Sequence, residues 1–417
     1  MKKCIFRVCV VGTLFFAGLA VAQEITPTQD SLEAVAPETA QEVEQAEAAG
    51  EVADVAEAEE VAEVLESTPT PVVEEAPAAV AALESSSSDP LAKAELFYTL
   101  PDFCPTPDGF ALAPWGDILM SCPNYADPTH PAVILRITPE NEVRLWAICP
   151  VNPETGKAGP MGMAFGPDGN LYIADNAGWA DGSMGRVLRL IVNENHRPVG
   201  CEVVAYNFGH PNGIRVHNNY IYVTHSLLQV EADKPVVSAV YRFPLDAKSI
   251  KVENSVSDPH IVVIAQTENL KVPYGLDGLC FDKEGNLYVG NFGDGSILKV
   301  SFDAEGNASE PTVFAKGPEM ISNDGMIYGT DGNIYLCDFS QNAILAVTPE
   351  GKIITIARNG DTDGADGSLD EPGDIIQRGS ELIISNFDNV PGPPHINTQH
   401  DKPSTLSIIR LEGVEVK

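Results

Sequence analysis

One sequence unit recurs six times along the chain, and this repeat constrains the fold more than any other feature. Each copy is a short apolar run, a tight turn, and a second run in which apolar and polar residues alternate. Such runs are typical of two antiparallel strands, and glycine in the turn, as at Gly169, accommodates the positive φ that tight hairpins need. The copies are spaced 53, 51, 65, 47 and 49 residues apart and begin at Asp108, Met161, Asn212, Asp277, Asp324 and Gly373.

Two further strand-like runs follow each copy, for example residues 296–302 and 311–315 after the fourth. Four antiparallel strands about every fifty residues are the signature of a β-propeller blade. The sixth blade has only three such runs before the chain ends, and the apolar run 95–100 ahead of the first blade can supply the fourth. We therefore predict an all-β fold, a six-bladed β-propeller over residues 91–417 whose last blade is closed by the N-terminal strand.

The first 22 residues have the pattern of an export signal. Lys2, Lys3 and Arg7 accompany an apolar run, and the run ends at a small-x-small cleavage site framed by Ala20 and Ala22. The run is short for a membrane span, although an uncleaved anchor is the alternative interpretation. We predict a signal peptide, export to the periplasm or the extracellular space, and no membrane attachment after cleavage.

Residues 23–90 differ in composition from the rest of the chain. They contain 18 Asp or Glu residues, no Lys or Arg, and no aromatic residue. Such a segment lacks the apolar surface that would offset its ordering entropy, and its like charges repel one another. We predict an acidic disordered linker. The alternative is an arm that binds a partner, whose nature the sequence does not reveal.

The net charge argues against two classes of partner. The whole chain has 25 Lys or Arg against 60 Asp or Glu, which gives a formal charge of −35. A nucleic-acid-binding protein needs a basic surface, so we predict no nucleic-acid partner. The same charge opposes docking on anionic lipid. The absence of a nucleophile-elbow serine motif, a phosphate-binding glycine loop and a Rossmann fingerprint argues against serine-nucleophile and nucleotide-dependent chemistry.

The cysteines following the acidic segment are even in number, which permits disulfides in an exported chain. They are Cys104, Cys122, Cys149, Cys201, Cys280 and Cys337. No C-x-x-C motif occurs, which argues against a zinc site and against thioredoxin chemistry. If any pair forms, we favour Cys104 with Cys122. Buried free thiols are the alternative.

The leading residues of the repeats form one ring, because the first strand of each propeller blade lines the central channel. In the sixth blade, Asp374 can take the place of Gly373. The ring contains three carboxylates and one amide, those of Asp108, Asp277, Asp324 and Asn212. Converging carboxylates repel one another unless a cation lies between them, and oxygen ligands without His or Cys suit Ca²⁺, or else Mg²⁺ or Mn²⁺. Alternatively, Asp or Asn before Gly only caps a turn, which predicts the same residue in every blade; Met161 breaks that series.

The ends of the second strands form an outer ring at the same mouth. We place there Asn124, Asn176, His225, Asn291, Asp338 and Asn386. His225 is a candidate general base, since imidazole accepts protons near neutral pH. The alternative is that a single histidine at a strand end is a hydrogen-bonded structural group.

The blade order resembles that of a known family. Pro-Asn-Gly at 211–213, Leu-Asp-Gly at 276–278 and Asn-Asp-Gly at 323–325 open blades three, four and five. With the six-bladed pattern, they resemble the senescence-marker-protein (regucalcin)/gluconolactonase family, whose wider relatives are the paraoxonases and strictosidine synthase-like proteins. The resemblance spans residues 95–417 and rests on blade order, since no single motif in it is specific.

The resemblance implies a metal site. Members of that family hold a divalent metal, often calcium, with a carboxylate in blade one, Asn in blades three and four, and Asp in blade five. Matching by blade implies Asp108, Asn212, Asp277 and Asp324 as the ligands in this chain. Two residues depart from the family pattern: the first carboxylate is usually Glu, and blade four usually offers Asn. Asp108 is therefore one methylene shorter, and Asp277 adds a negative charge.

The resemblance also implies an activity, the metal-dependent hydrolysis of lactones or related esters. The substrate would be a small molecule such as a sugar lactone, with the metal polarising its carbonyl. Family analogy makes Asp324 the candidate general base, and His225 is the alternative from this sequence alone. The competing interpretation is a non-catalytic recognition module with a structural metal, displayed on the acidic segment.

Overall fold

The computed structural model describes residues 91–417 apart from 180–182, 391, 393, 413, 415 and 417. The predicted signal peptide and acidic linker therefore lie outside the described residues. The described chain forms 25 β-strands and one short 3₁₀ turn, Phe339–Gln341. None of its helical structure is long and apolar enough to cross a membrane.

The strands form six sheets arranged as propeller blades, which confirms the predicted all-β fold. Blade one is β2 (Phe110–Leu112), β3 (Ile118–Cys122), β4 (Val133–Ile137) and β5 (Val143–Ile148); blade two is β6 (Pro160–Phe165), β7 (Leu171–Asp175), β8 (Gly185–Val192) and β9 (Pro198–Phe208), with β13 (Ile250–Lys251) added to β9. Blade three is β10 (Pro211–His217), β11 (Tyr220–Gln229), β12 (Val236–Pro244) and β14 (Ile261–Thr267); blade four is β15 (Leu276–Phe281), β16 (Leu287–Asn291), β17 (Ser296–Val300) and β18 (Thr312–Lys316). Blade five is β19 (Met326–Tyr328), β20 (Ile334–Asp338), β21 (Ala343–Val347) and β22 (Ile353–Arg358); blade six is β23 (Pro372–Arg378), β24 (Glu381–Asn386), β25 (Thr405–Arg410) and β1 (Glu95–Thr99).

The N-terminal strand closes the ring, as the sequence predicted. Strand β1 pairs antiparallel with β25, and Glu95 forms an ion pair with Arg410 across that pairing. Directly after β1, Leu100 is buried and packs in the core cluster shared by blades one and six, with Phe97 and Tyr98 partly buried against it. Closure removes two exposed sheet edges, which would otherwise be open to pairing with other chains.

The longest spacing in the repeat, 65 residues, falls after the start of blade three and has a structural cause. The connection between β12 and β14 contains β13, which pairs in parallel with β9 of the preceding blade. The extra residues therefore widen blade two into a five-stranded sheet, and they leave the four-stranded pattern of blade three intact.

A glycine follows the leading residue in five blades because the first strands approach one another there without room for a side chain. A Cβ at Gly213 would lie 2.4 Å from the carbonyl oxygen of Asp277, and a Cβ at Gly278 would lie 2.3 Å from that of Asp324. These glycines are Gly109, Gly162, Gly213, Gly278 and Gly325. Packing around the channel axis therefore accounts for the glycine of the repeat, and turn capping does not.

The disulfide favoured from the sequence is not formed. Cys104 and Cys122 are both buried free thiols. The two thiols are neighbours. Burial, followed by a hydrogen bond with Cys122, raises the pKa of the Cys104 thiol well above its usual value. The Cys122 thiol also donates to Asn124 Oδ1 at 2.8 Å.

Candidate functional site

A narrow cavity of about 20 Å³ lies where the first strands enter the channel. Its polar lining consists of the predicted residues Asp108, Asn212, Asp277 and Asp324, together with Asp374 and Arg215. That volume holds one water molecule or one ion and is far too small for a lactone. The structure therefore brings the four predicted side chains to one place and adds a fourth carboxylate and a guanidinium.

The strand register assigns Asp374 to an unusual position. Pro372 pairs with Asn386 as Leu276 pairs with Asn291 in blade four, so the leading residue of blade six is Gly373. Asp374 then occupies the register position of the five channel glycines. The adjacent leading glycine leaves space at the mouth, and Asp374 Oδ2 accepts a hydrogen bond from the Phe110 backbone N–H at 2.7 Å.

Arg215 is a channel residue that the sequence analysis did not identify. It lies two residues after Gly213 on β10, and residues two apart on a strand face the same side. Its Nη2 donates to the Met326 carbonyl at 2.9 Å and its Nη1 donates to the Ile214 carbonyl at 2.8 Å. Burial raises the pKa of Asp374, and the positive charge of Arg215 lowers it. Counting every second residue along the strand from Gly213 would have identified Arg215 as a channel residue.

Hydrogen bonds connect the remaining ring residues. Asn212 Nδ2 donates to Asp277 Oδ2 at 2.8 Å and also to the Tyr274 hydroxyl at 3.0 Å. Asp277 and Asp324 share a side-chain hydrogen bond, which requires a proton on one of the two carboxyl groups. By contrast, Asp108 Oδ2 is buried without a hydrogen-bond partner.

Burial and mutual repulsion shift the titration of this ring. Burial, followed by the charges of its neighbours, raises the pKa of Asp108 and of Asp324 well above the usual range. Burial is also the main reason that the pKa of Asp277 rises to about 8. In the protein without a bound cation, these carboxyl groups therefore retain protons at pH values where exposed aspartates have lost them.

The donor set fits a hard divalent cation in charge and chemistry. Asp108 Oδ2 and Asp374 Oδ1 are both buried and unpartnered, and a cation would satisfy oxygens that are costly to bury alone. Across the described part of the chain, no three His, Cys, Asp or Glu side chains converge closely enough to hold a metal by themselves. A cation in the cavity would therefore also draw on other oxygens, such as the amide oxygen of Asn212 and water, or require the carboxylates to turn.

The second predicted base, His225, lies outside this cavity. It is buried within β11, opposite Pro211, and its Nε2 accepts a hydrogen bond from the Gly209 backbone N–H at 3.1 Å. Burial lowers the pKa of His225 to about 3, so its imidazole is neutral, and its Nδ1 has no partner. This environment is that of a structural histidine packed against Phe208. A catalytic role for His225 stays a prediction.

The outer ring is partly different from the one predicted. Asn291, Asp338 and Asn386 do end their second strands, but β3 ends at Cys122, β7 ends at Asp175, and β11 continues past His225 to Gln229. The assignments of Asn124 and Asn176 were therefore wrong by two residues and one residue. The turns after these strands differ in length between blades, so the alternating pattern did not locate the strand ends.

Six aromatic side chains form a closed loop at this mouth, which we call the aromatic collar. Each ring neighbours the next, with centroids 5.3 to 6.5 Å apart and interplanar angles of 50° to 71°. The members are, in order, Tyr125, Trp179, Tyr274, Phe292, Phe339 and Phe387. Five follow the second strand of their blade, and Tyr274 takes the place of the sixth from the connection into blade four.

The collar was missed although part of its signal is visible in the sequence. Phenylalanine directly follows the polar residue that ends the second strand in blades four, five and six, at Phe292, Phe339 and Phe387. Tyr274 has no such signal, because it belongs to a connection between blades. Its hydroxyl nevertheless joins the collar to the ring below, since it accepts from Asn212 and lies 3.1 Å from His210 Nδ1.

Comparison with known proteins identifies the fold through structures alone, because no family model and no curated protein matches the chain. A luciferin-regenerating enzyme is 10% identical with a TM-score of 0.52, over 76% of this chain and 95% of that one. A protein from Thermus thermophilus assigned as an oxidoreductase (glucose dehydrogenase) is 15% identical with a TM-score of 0.51, over 76% and 99%. A gluconolactonase from Xanthomonas campestris is 15% identical with a TM-score of 0.49, over 76% and 89%.

A calcium-binding protein, regucalcin from Agrobacterium tumefaciens, is also among the matched structures. The predicted resemblance to gluconolactonase- and regucalcin-like propellers is confirmed at the level of structure. Identities of 10% to 15% show a shared fold and nothing finer. Proteins with different activities share this likeness, so the reaction must be argued from the site.

Proposed function

We propose that this chain is an exported, metal-dependent hydrolase of lactones or related esters that acts at the mouth carrying the carboxylate ring. The observation that carries the proposal is the convergence of four aspartates, three of them buried, around a cavity the size of one ion, with two of their oxygens unpartnered. Such an arrangement is unfavourable for folding alone, and it is useful for holding a cation that binds a substrate oxygen.

Asp108, Asn212, Asp277 and Asp324 would hold the divalent cation, and Asp374 adds a fifth donor. Calcium suits this set best, because it prefers several oxygen ligands. When bound, the cation supplies polarisation of the substrate carbonyl and stabilises the oxyanion that develops there. Asn212 is held in place by its hydrogen bonds to Asp277 and Tyr274.

Asp324 is the general base in this proposal. It is the one aspartate of the ring that is only partly buried, so a water molecule in the mouth can reach it. The water oxygen bonds to the carbonyl carbon while Asp324 accepts the water proton. The ester C–O bond then breaks, and the departing alkoxide takes the proton back from Asp324. The hydrogen bond with Asp277 orients the Asp324 carboxyl group.

The test is hydrolysis by the full chain of a panel of aldonolactones and aliphatic lactones, followed by acid release. Turnover should require calcium, disappear with chelator, and fall at least about a hundredfold in Asp324→Asn, which is the size of a general-base contribution. Circular dichroism of the variant checks that the fold survives. A well-folded, calcium-loaded protein without turnover on any lactone would overturn the proposal.

One observation favours the second candidate, a recognition module with a structural metal. The cavity is too small for a lactone, and Phe292, Phe339 and Phe387 above it are each no more than 8% exposed. Hydrolysis requires the substrate to enter between these rings. If the protein is such a module, the wild type and Asp324→Asn behave alike in every lactone assay. If it is the enzyme, the wild type hydrolyses a lactone faster than Asp324→Asn does.

A further inference from the structure

The aromatic collar and the carboxylate ring lie directly on top of one another. The Tyr274 hydroxyl, part of the collar, accepts a hydrogen bond from Asn212 of the ring, and the Tyr125 hydroxyl bonds the Met161 sulfur at the leading position of blade two. A molecule that approaches the ring from this mouth therefore meets the aromatic rings first. Aromatic faces attract organic cations, and buried carboxylates attract positive charge of any kind.

We propose that the collar and the ring together bind the ammonium group of a small organic cation. This inference rests on the proposed function where it names the substrate class: a lactone or ester that carries a primary or quaternary ammonium group. The binding itself does not depend on hydrolysis and can be measured without turnover.

The size of the collar suits an ammonium group. Neighbouring centroids in the closed loop of six rings are 5.3 to 6.5 Å apart. A ring attracts a cation that lies within about 6 Å of its centroid, so a cation between two neighbouring rings is in range of both.

The charge below the collar is negative even after a divalent cation has bound. Four aspartates face the single guanidinium of Arg215 in the lining of the cavity. A bound divalent cation favours the ionised form of these carboxyl groups, and with all four ionised one negative charge is left for a monovalent ammonium group to neutralise.

The polar groups of the collar do not suit a sugar lactone. A ligand with several hydroxyls needs matching free donors and acceptors, because unpaired polar groups in a binding site are costly. The Tyr125 hydroxyl already donates to Asn176 Oδ1, and the Tyr274 hydroxyl accepts from Asn212 and contacts His210. The three phenylalanines offer no hydrogen bonds. The collar therefore favours a ligand recognised by charge and apolar contact.

The test is calorimetric titration of the calcium-loaded full chain with choline and with 3,3-dimethylbutan-1-ol, which has the same shape without the charge. Choline should bind saturably, and the neutral alcohol should bind about tenfold more weakly, since it lacks the charge that the aromatic faces attract. Trp179→Leu should weaken choline binding about threefold to tenfold, and Trp179→Phe should restore much of it. Trp179 is 46% exposed, so its replacement should not unfold the protein.

Trp115→Leu, in the β2–β3 turn at the opposite end of the blade, is the matched control and should leave choline binding unchanged. Equal binding of choline and its neutral isostere, or no effect of Trp179→Leu, would overturn the inference. Choline binding without hydrolysis of any ester would support the cation site and count against the proposed function. If the protein hydrolyses neutral lactones with calcium, and choline neither binds it nor inhibits it, the result would support the proposed function and count against the cation site.

Discussion

Asp374 changes the channel at the one place where the repeat otherwise demands glycine. Five blades have glycine at this register position, where an added Cβ would collide with a neighbouring strand, and the sixth has Asp374, next to the leading Gly373. The result is a carboxylate that comes from deeper in the channel than Asp108 and lies near the guanidinium of Arg215. Blade six thus contributes charge to the ring without contributing a leading carboxylate.

At Asp277, we predict a pH-dependent loss of stability in the metal-free protein. Its folded pKa of about 8 lies above the value near 4 expected in the unfolded chain. Its contribution to stability is therefore complete below about pH 4 and is lost as pH rises through about 8, because the unfolded chain releases the proton first. Urea denaturation with chelator at pH 5, 6, 7 and 8 should show stability falling as pH rises.

The variant Asp277→Asn is uncharged at every pH, so its stability should fall less steeply, by roughly 1 kcal/mol per pH unit. Asp370 and Glu371, whose pKa values burial raises to about 8 and about 7, remain in both proteins and serve as an internal reference. Identical pH slopes for the two proteins would contradict the assignment of a raised pKa to Asp277.

The parts of the site that the sequence predicted are those set by strand periodicity. Asp108, Asn212, Asp277 and Asp324 share one position in the repeat, so the fold had to bring them together once six blades closed. Tyr274 could not be predicted, because its place depends on the conformation of a connection between blades.

At the scale of elements, closure by β1 holds the first and last blades together. The Leu100 side chain is 5% exposed and lies at the point where the closing strand enters blade one. We predict that Leu100→Ala lowers the free energy of unfolding by about 2–4 kcal/mol, as expected for a large-to-small change in a packed core. Leu112→Ala, at a side chain that is 53% exposed, should cost no more than about 0.5 kcal/mol.

Both variants can be compared by thermal or urea denaturation of the full chain. Equal stabilities would mean that closure of the ring contributes little to the fold. The sequence located this strand because an apolar run preceded the first repeat and the last repeat lacked one strand. It did not locate β13, because two residues that bridge to another blade carry no periodic signal.

At the scale of the whole molecule, six copies of one unit predicted the architecture, and the differences between copies determine the chemistry. The propeller carries a net negative charge, and so does the chain as a whole, at −35. Long-range attraction therefore favours the approach of cations to the mouth and disfavours anionic partners. Because so acidic a chain can bind calcium at other places too, a count of bound ions does not identify an ion in the carboxylate ring.

Terbium luminescence, with calcium as competitor, reports directly on a cation held in the carboxylate ring, because aromatic side chains near the ion sensitise the emission. Residues 23–90 contain no aromatic residue, so terbium held there stays dark, whereas an ion in the ring lies below six aromatic rings. We expect one saturable, sensitised site from which calcium displaces terbium, and we expect Asp374→Asn to weaken terbium binding there about tenfold through the loss of a charged ligand. Asp246→Asn, at an exposed position, should change nothing. Absence of sensitised emission, or emission unaffected by Asp374→Asn, would contradict a cation site at this mouth.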